Sequence, residues 1–298
     1  MDFKIGDDIE VNGSRNRKGE SKMIIIIIVV VSLLCGLSVF FVSNALFGKK
    51  GGDTPPMADT TVELTDENVQ ILYKYVTFGT RGTRNDKFLK EQNVTLDSFS
   101  NQERFYYALQ FAQPEDFANT GRLNEKNQKI YNISSTKVNT YMQRYFGNKV
   151  TYSTNSVITY PFSFRINKMN VGTLSYTVES DGYDTVFTEL QEDIESDNIV
   201  EPYYTELVNA TRKADGSMEL AEKVIYTEVH KENDLLTINI YKDYQRTMLL
   251  ETRQNLTKEQ LDANPVKIDD YKDKAATVIY TFKLNGQNYY FDNSKITN

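Results

Sequence analysis

The sequence predicts an α+β protein: an N-terminal transmembrane helix, then a helical segment, then a mostly antiparallel β-sheet. Three observations carry that expectation. One run near the N-terminus is long and uncharged. Between positions 65 and 147 apolar side chains recur with the 3.6-residue period of a helix. From about Val150 the period becomes 2, and tight-turn dipeptides separate the alternating stretches.

Met23 to Gly48 contains no charged side chain. The run opens with Ile24 to Ile28 and Val29 to Val31, and continues through Leu33, Leu34, Leu37, Phe40 and Phe41 to Phe47. At 1.5 Å per residue, ~25 residues reach roughly 37 Å. That crosses a hydrocarbon core of about 30 Å with some tilt. Backbone groups outside a helix would go unpaired in lipid. A cleaved signal has a shorter apolar region, roughly 7–15 residues. Cys35 sits mid-span behind Leu33 and Leu34, where a lipoprotein signal would need small residues. The reading is an uncleaved membrane helix over 23–47. Arg15, Arg17, Lys18 and Lys22 precede it; Lys49 and Lys50 follow it. Basic flanks favour the cytoplasmic side. The expected placement is the cell membrane, single-pass, with the N-terminus cytoplasmic and the C-terminal domain extracytoplasmic.

Residues 1–22 balance five acidic against five basic side chains and hold few large apolar groups. Such a tail buries too little surface to offset its ordering entropy, so disorder is expected. It is also too short for a kinase or a nucleotide-binding domain. Residues 48–64 read as a linker, with Gly48, Gly51, Gly52, Pro55 and Pro56. Residues 65–298 read as the folded extracytoplasmic domain, with a possible subdivision near 148. The whole chain carries 41 acidic and 34 basic residues. Removing the five acidic and seven basic residues of positions 1–50 leaves 36 and 27, a net of −9. That exterior disfavours nucleic acid and anionic lipid surfaces as ligands.

The elements follow in order. Val69, Leu72, Tyr73 and Val76 share one helical face, with Thr65 or Asp66 as cap. A second helix starts at Ser100, where Glu103 completes a capping box. Phe105, Ala108, Leu109 and Ala112 form its stripe, and Pro114 bars continuation. A third starts near Ser134 or Ser135, buries Val138, Tyr141, Met142 and Tyr145, and ends at Gly147. Then Leu174, Tyr176 and Val178 alternate with polar residues, as do Leu236, Ile238 and Ile240. Asp215-Gly216 and Asn285-Gly286 are hairpin dipeptides. A two-residue loop at Asn285-Gly286 would pair Phe282 with Tyr289 and Tyr280 with Phe291. The same loop at Asp215-Gly216 would set Arg212 opposite Glu219. Thr257 to Leu261 reads as a short helix before Pro265.

Composition restricts the chemistry. One His and one Cys, the latter inside the span, oppose zinc, copper and iron sites, disulfides and a Cys–His nucleophile. Calcium uses carboxylates. The candidates are Glu192, Asp193, Glu195 and Asp197 to Glu201, and Asp181-Gly182-Tyr183-Asp184, neither with the order of an EF-hand loop. His230 is expected as a surface residue. Ser134 and Lys137 form a Ser-x-x-Lys at a helix start, and Ser196-Asp197-Asn198 spells a second motif of penicillin-binding enzymes. The third motif, Lys-Thr-Gly, is absent, so Ser134 reads as a cap. Gly79-Thr80-Arg81-Gly82, with Arg84, is at most a small anion loop. With 20 Tyr and 16 Phe, the runs Phe105-Tyr106-Tyr107, Tyr203-Tyr204 and Tyr289-Tyr290 are either packing material or a ligand surface. No catalytic, cofactor or metal residue is selected, and no cofactor is expected.

The span, the cysteine-free domain, the Asn-, Lys-, Ile- and Tyr-rich usage and the run from Tyr280 to Phe291 together resemble single-pass envelope proteins of low-GC Gram-positive bacteria. The resemblance carries no activity or site. The function expected from the residues is a membrane-anchored binding or interaction module, for ligand sensing or partner scaffolding in the cell envelope. Its partners would be the membrane and a protein or cell-envelope ligand. The alternatives are an assembly subunit that contacts a membrane complex through its span, or a cell-envelope hydrolase.

Overall fold

A computed structural model describes residues 58–80, 83, 84, 86–153, 158–166, 169–189 and 200–297. The tail and the expected membrane helix over 23–47 lie outside these residues. Among the described residues, no helix is long and apolar enough to cross a membrane.

In chain order the elements are β1 (Thr60–Thr61), α1 (Glu67–Thr77), β2 (Gly79–Thr80), β3 (Thr83–Arg84), α2 (Lys87–Lys90), β4 (Asn93–Thr95) and α3 (Asn101–Ala108). Next come β5 (Ala118–Leu123), β6 (Lys129–Ser134), α4 (Ser135–Phe146), β7 (Ile158–Ile166), β8 (Met169–Thr177) and β9 (Gly182–Glu189). The chain ends with β10 (Tyr203–Arg212), β11 (Met218–Glu232), β12 (Leu235–Tyr241), β13 (Leu249–Leu256), α5 (Lys258–Ala263), β14 (Ala276–Asn285) and β15 (Asn288–Thr297). The protein is α+β, and its strand pairs are antiparallel. The larger sheet runs β1-β10-β11-β14-β15-β4, with β12 and β13 added beside the long strand β11. The smaller sheet runs β5-β6-β9-β8-β7.

The helices form where the caps and periods place them. The Asp66 carboxylate accepts the Asn68 and Val69 amides and starts α1. Ser100 and Glu103 make their reciprocal box at α3. Ser134 accepts the Lys137 amide and starts α4, and Gly147 ends it at φ +71°. Thr257 and Gln260 box α5.

Helix α3 shows how the core is built. Its residues Phe105 to Ala108 are all buried, not merely one stripe. The Phe105 ring meets Tyr183 of the smaller sheet at 5.1 Å, while Tyr107 meets Phe88 and Tyr145 at 5.5 and 5.3 Å. A helix with neighbours on both sides buries both its faces. Each such aromatic contributes roughly 1.5–3 kcal/mol through area removed from water. One hydrophobic cluster therefore joins the helices to both sheets, from Val69 and Tyr106 to Val171, Phe282 and Phe291. A second, smaller core lies under α5 and is built from Ile225, Leu236, Ile238, Ile240 and Leu261.

One carboxylate enters the main core. Glu222 of β11 is fully buried. The Tyr73 hydroxyl of α1 and the Tyr280 hydroxyl of β14 donate to its two oxygens at 2.5 Å each. These bonds tie the first helix to the two central strands.

Several expectations need correction. At the last hairpin the turn residues are Gly286 and Gln287. The pairs are Leu284 with Tyr289 and Phe282 with Phe291, with a bulge at Thr281/Phe282 that sets Tyr280 opposite Ser294. Gly286 alone has a positive φ, which fits a turn with glycine at its first central position. At Asp215-Gly216 the Gly216 amide donates to Lys213 and the Lys213 amide to Ser217. That is a three-residue loop with Gly216 at φ +85°, so Arg212 faces Met218. Val178 leaves the alternation in a one-turn 3-10 helix and is 78% exposed.

The stretch read as helical also contains β4, β5 and β6. Strand β5, Ala-Asn-Thr-Gly-Arg-Leu, is largely exposed and shows no apolar alternation to reveal it. Residues assigned to the linker dock as well. Thr60 and Thr61 pair with β10, and the Asp59 carboxylate holds Lys213 at 2.6 Å. A two-residue edge strand is too short to have a period.

Candidate functional site

Among the described residues, a concavity opens where β8 and β9 lose register. Val171 faces Phe187 and Ser175 faces Asp184, so Gly172 to Leu174 oppose only Thr185 and Val186. An extra residue in one strand bends it and breaks the ladder. The resulting cavity is about 430 Å³, within the roughly 300–1,000 Å³ of small-molecule sites. Both alternating sets of β9 line it, with Asp184 and Val186 from one and Thr185 from the other.

The walls are positioned by short-range chemistry. The β5–β6 turn is organised by Asn124, whose side-chain oxygen accepts the Lys126 and Gln128 amides at 2.9 Å each. The Asn124 amide group donates to the Gln128 side chain, also at 2.9 Å. Asp184 accepts from Asn132 at 2.8 Å and from Arg122 at 2.5 Å, so both its oxygens are engaged. Gly182 must be glycine, because a Cβ there would lie 2.5–2.6 Å from Asn132 and the Ile133 carbonyl. Beneath the cavity, Phe187 packs edge-on against Tyr131 and Phe117. Thr185 is 4% exposed and its hydroxyl has no hydrogen-bond partner. At Gly172 the opposite condition holds: an added Cβ would meet nothing within 4 Å.

Two smaller concavities lie on the larger sheet. One, about 380 Å³, borders β4 and β15 at Thr95, Asp97, Asp292 and Lys295. The other, about 230 Å³, lies between Lys90, Tyr226, Tyr244 and Met248. Asp243 at its rim is structural: its oxygens accept the Thr247 and Met248 amides and the Thr247 hydroxyl. Burial pushes that carboxyl up, but those bonds outweigh it and hold it below its ordinary value.

The residues singled out in the sequence are dispersed. Ser134 caps α4, while the Lys137 ammonium turns to Asp116 at 2.9 Å and not into a cleft. His230 is exposed on β11 beside Glu228 at 3.2 Å. Asp181 accepts from the Tyr176 hydroxyl at φ +41°, and Asp184 belongs to the cavity wall. Phe105, Tyr106 and Tyr107 are core; Tyr203 and Tyr204 are half-buried on β10. Glu192, Asp193, Glu195, Ser196, Asp197, Asn198, Arg81 and Gly82 lie outside the described residues. Among the described residues, no group of three or more His, Cys, Asp or Glu side chains is arranged to hold a metal ion.

The cavity residues Asn124, Gln128, Thr173 and Thr185 form no sequence motif. The signal that marks the place is Gly172, a glycine inside an alternating strand, which is a sign of a bulge or a close approach. No known family, curated protein or solved structure matches the chain.

Proposed function

We propose that the chain is a membrane-anchored binding module whose folded domain lies outside the cytoplasm and serves ligand sensing or partner scaffolding in the cell envelope. The observation that carries this reading is the uncharged run over 23–47, preceded by four basic residues and followed by a cysteine-free folded domain. A domain without disulfides must hold itself together by packing, and the single cluster joining α1, α3, α4 and both sheets supplies that. The cavity at the β8–β9 break supports the binding half of the reading. It offers neutral hydrogen-bonding groups in a concave wall, the kind of surface that orients a small ligand.

Orientation is tested through the single cysteine. On a Cys35→Ser background, new cysteines at Ser14 and at the exposed Ser153 would be treated with an impermeant thiol reagent on intact cells. The expected result is labelling at 153 and none at 14. The reverse pattern overturns the placement. Capture of envelope material by the full chain should survive replacement of the span by polyleucine. Its loss would assign partner contact to the span.

A further inference from the structure

We propose that the cavity at the β8–β9 break is a binding site for a neutral, polyhydroxylated ligand, one or two sugar rings of an envelope glycan. The proposal rests on the envelope-binding reading above and names the ligand class for it.

The chemistry of the wall makes the selection. Its polar side chains include the amides of Asn124 and Gln128 and the hydroxyls of Thr173, Ser175 and Thr188. Amides and hydroxyls both donate and accept, which is what vicinal sugar hydroxyls require. Among the described residues no lysine or arginine lines the cavity, and the one carboxylate there, Asp184, is already engaged by Asn132 and Arg122. An anion would find no cation there to offset its desolvation. A wholly apolar ligand would strand the wall's polar groups. Ile130, Val186 and the threonine methyls supply hydrocarbon for the C–H faces of a sugar ring.

The hydroxyls open to a ligand are those of Thr173 and Ser175, on the strand that carries the extra residue; the Thr185 hydroxyl is sealed in the wall behind them. At Gly172 the strand tolerates a side chain, yet the space stays open. A glycine in a strand interior with room around it marks where another molecule approaches the backbone.

The test uses full-length protein in a zwitterionic detergent, because maltoside and glucoside detergents would themselves compete. N,N′-diacetylchitobiose and cellobiose at millimolar concentration are the probes, read by saturation-transfer NMR and titration calorimetry. A tripeptide of alanine and glucuronic acid are the comparison ligands. The expected result is binding of at least one neutral disaccharide, lost in Gly172→Leu and weakened about two- to tenfold in Thr173→Val. Both variants should melt near the parent temperature. The Leu fills open space, and Thr173 is exposed. Absence of disaccharide binding to the parent protein overturns the proposal, as does binding indifferent to both substitutions. If the peptide or the acid binds with the same sensitivity, the sugar assignment fails while the binding-module reading stands. If the thiol labelling is reversed, the anchoring reading fails whatever the cavity binds.

Discussion

The buried carboxylate of Glu222 allows a quantitative test of how the first helix is held to the sheet. Its two oxygens accept from Tyr73 and Tyr280 at 2.5 Å, and the residue is fully buried. Removing a donor leaves its buried partner unsatisfied, at a cost of about 1–3 kcal/mol. Tyr73→Phe and Tyr280→Phe each remove the bond to Glu222 and almost no volume. For a domain of this size, 1 kcal/mol moves the melting temperature by about 2–4 °C. Each single substitution should therefore lower it by roughly 2–12 °C. The triple variant Tyr73→Phe, Tyr280→Phe, Glu222→Leu removes donors and acceptor together. Replacing buried hydrogen-bond partners together with apolar groups costs less than stranding one of them. It should melt higher than the Tyr73→Phe, Tyr280→Phe double variant. With no Trp in the chain, the assay is far-UV circular dichroism on full-length protein in micelles. Singles that melt like the parent, or a triple variant that melts no higher than the double, would refute this role for the Glu222 bonds.

Three further outcomes follow from particular positions. Gly147 has φ +71° and ψ −171°, a region nearly exclusive to glycine, and an added Cβ would lie 2.8 Å from the Tyr290 ring. Gly147→Ala should cost more than the strain alone, about 1–3 kcal/mol. Gly286→Ala, at φ +64° with nothing within 4 Å, should cost only about 1–2 kcal/mol; thermal melts of the two rank them. Burial pushes the Asp116 carboxyl up, but bonds from the Tyr141 hydroxyl and the Gln113 amide and the Lys137 ammonium hold it below its ordinary 3.8. A depressed carboxyl stabilises the fold above its unfolded value and loses that contribution as pH falls through its folded value. The melting gap between parent and Asp116→Asn should thus be steady near neutrality and close in acid below about pH 4; a gap that persists there refutes it. Ser134→Ala should cost about 1 kcal/mol as a lost cap, measured by the same melts.

Much of the fold was legible because it rests on local rules. Asp66, Ser100, Ser134 and Thr257 each offer an oxygen to amides two or three residues ahead, and all four start helices. Leu236, Ile238 and Ile240 alternate and are all buried. The errors arose where geometry depends on one residue of loop length. Asn-Gly and Asp-Gly announce a reversal but not which two or three residues turn. A shift of one changes every partner beyond it. Arg212 accordingly lies opposite Met218, and Tyr280 opposite Ser294. Strand β5 was invisible for a different reason: an exposed edge strand buries no face, so its sequence carries no period.

The candidate site was less legible still, because it is made by a failure of regularity. Asn124 and Gln128 come from a turn, Thr173 from one strand and Thr185 from the next, and only the mismatched register brings them together. Had β8 and β9 paired evenly, Gly172 would be an ordinary weak point in a strand. The bulge makes it a threshold, with open space before it and a buried, unpartnered hydroxyl near by. The same residue types spread along even strands would be surface. What distinguishes the site is therefore a difference in how two glycines are used. Gly182 is fixed by the crowding of Asn132 and Ile133 around it, while at Gly172 an added Cβ would meet nothing within 4 Å. A glycine crowded by its neighbours explains itself. One with open space around it, set in a concave and hydrogen-bonding wall, is where a bulky substitution such as Gly172→Leu reports on whatever enters that space.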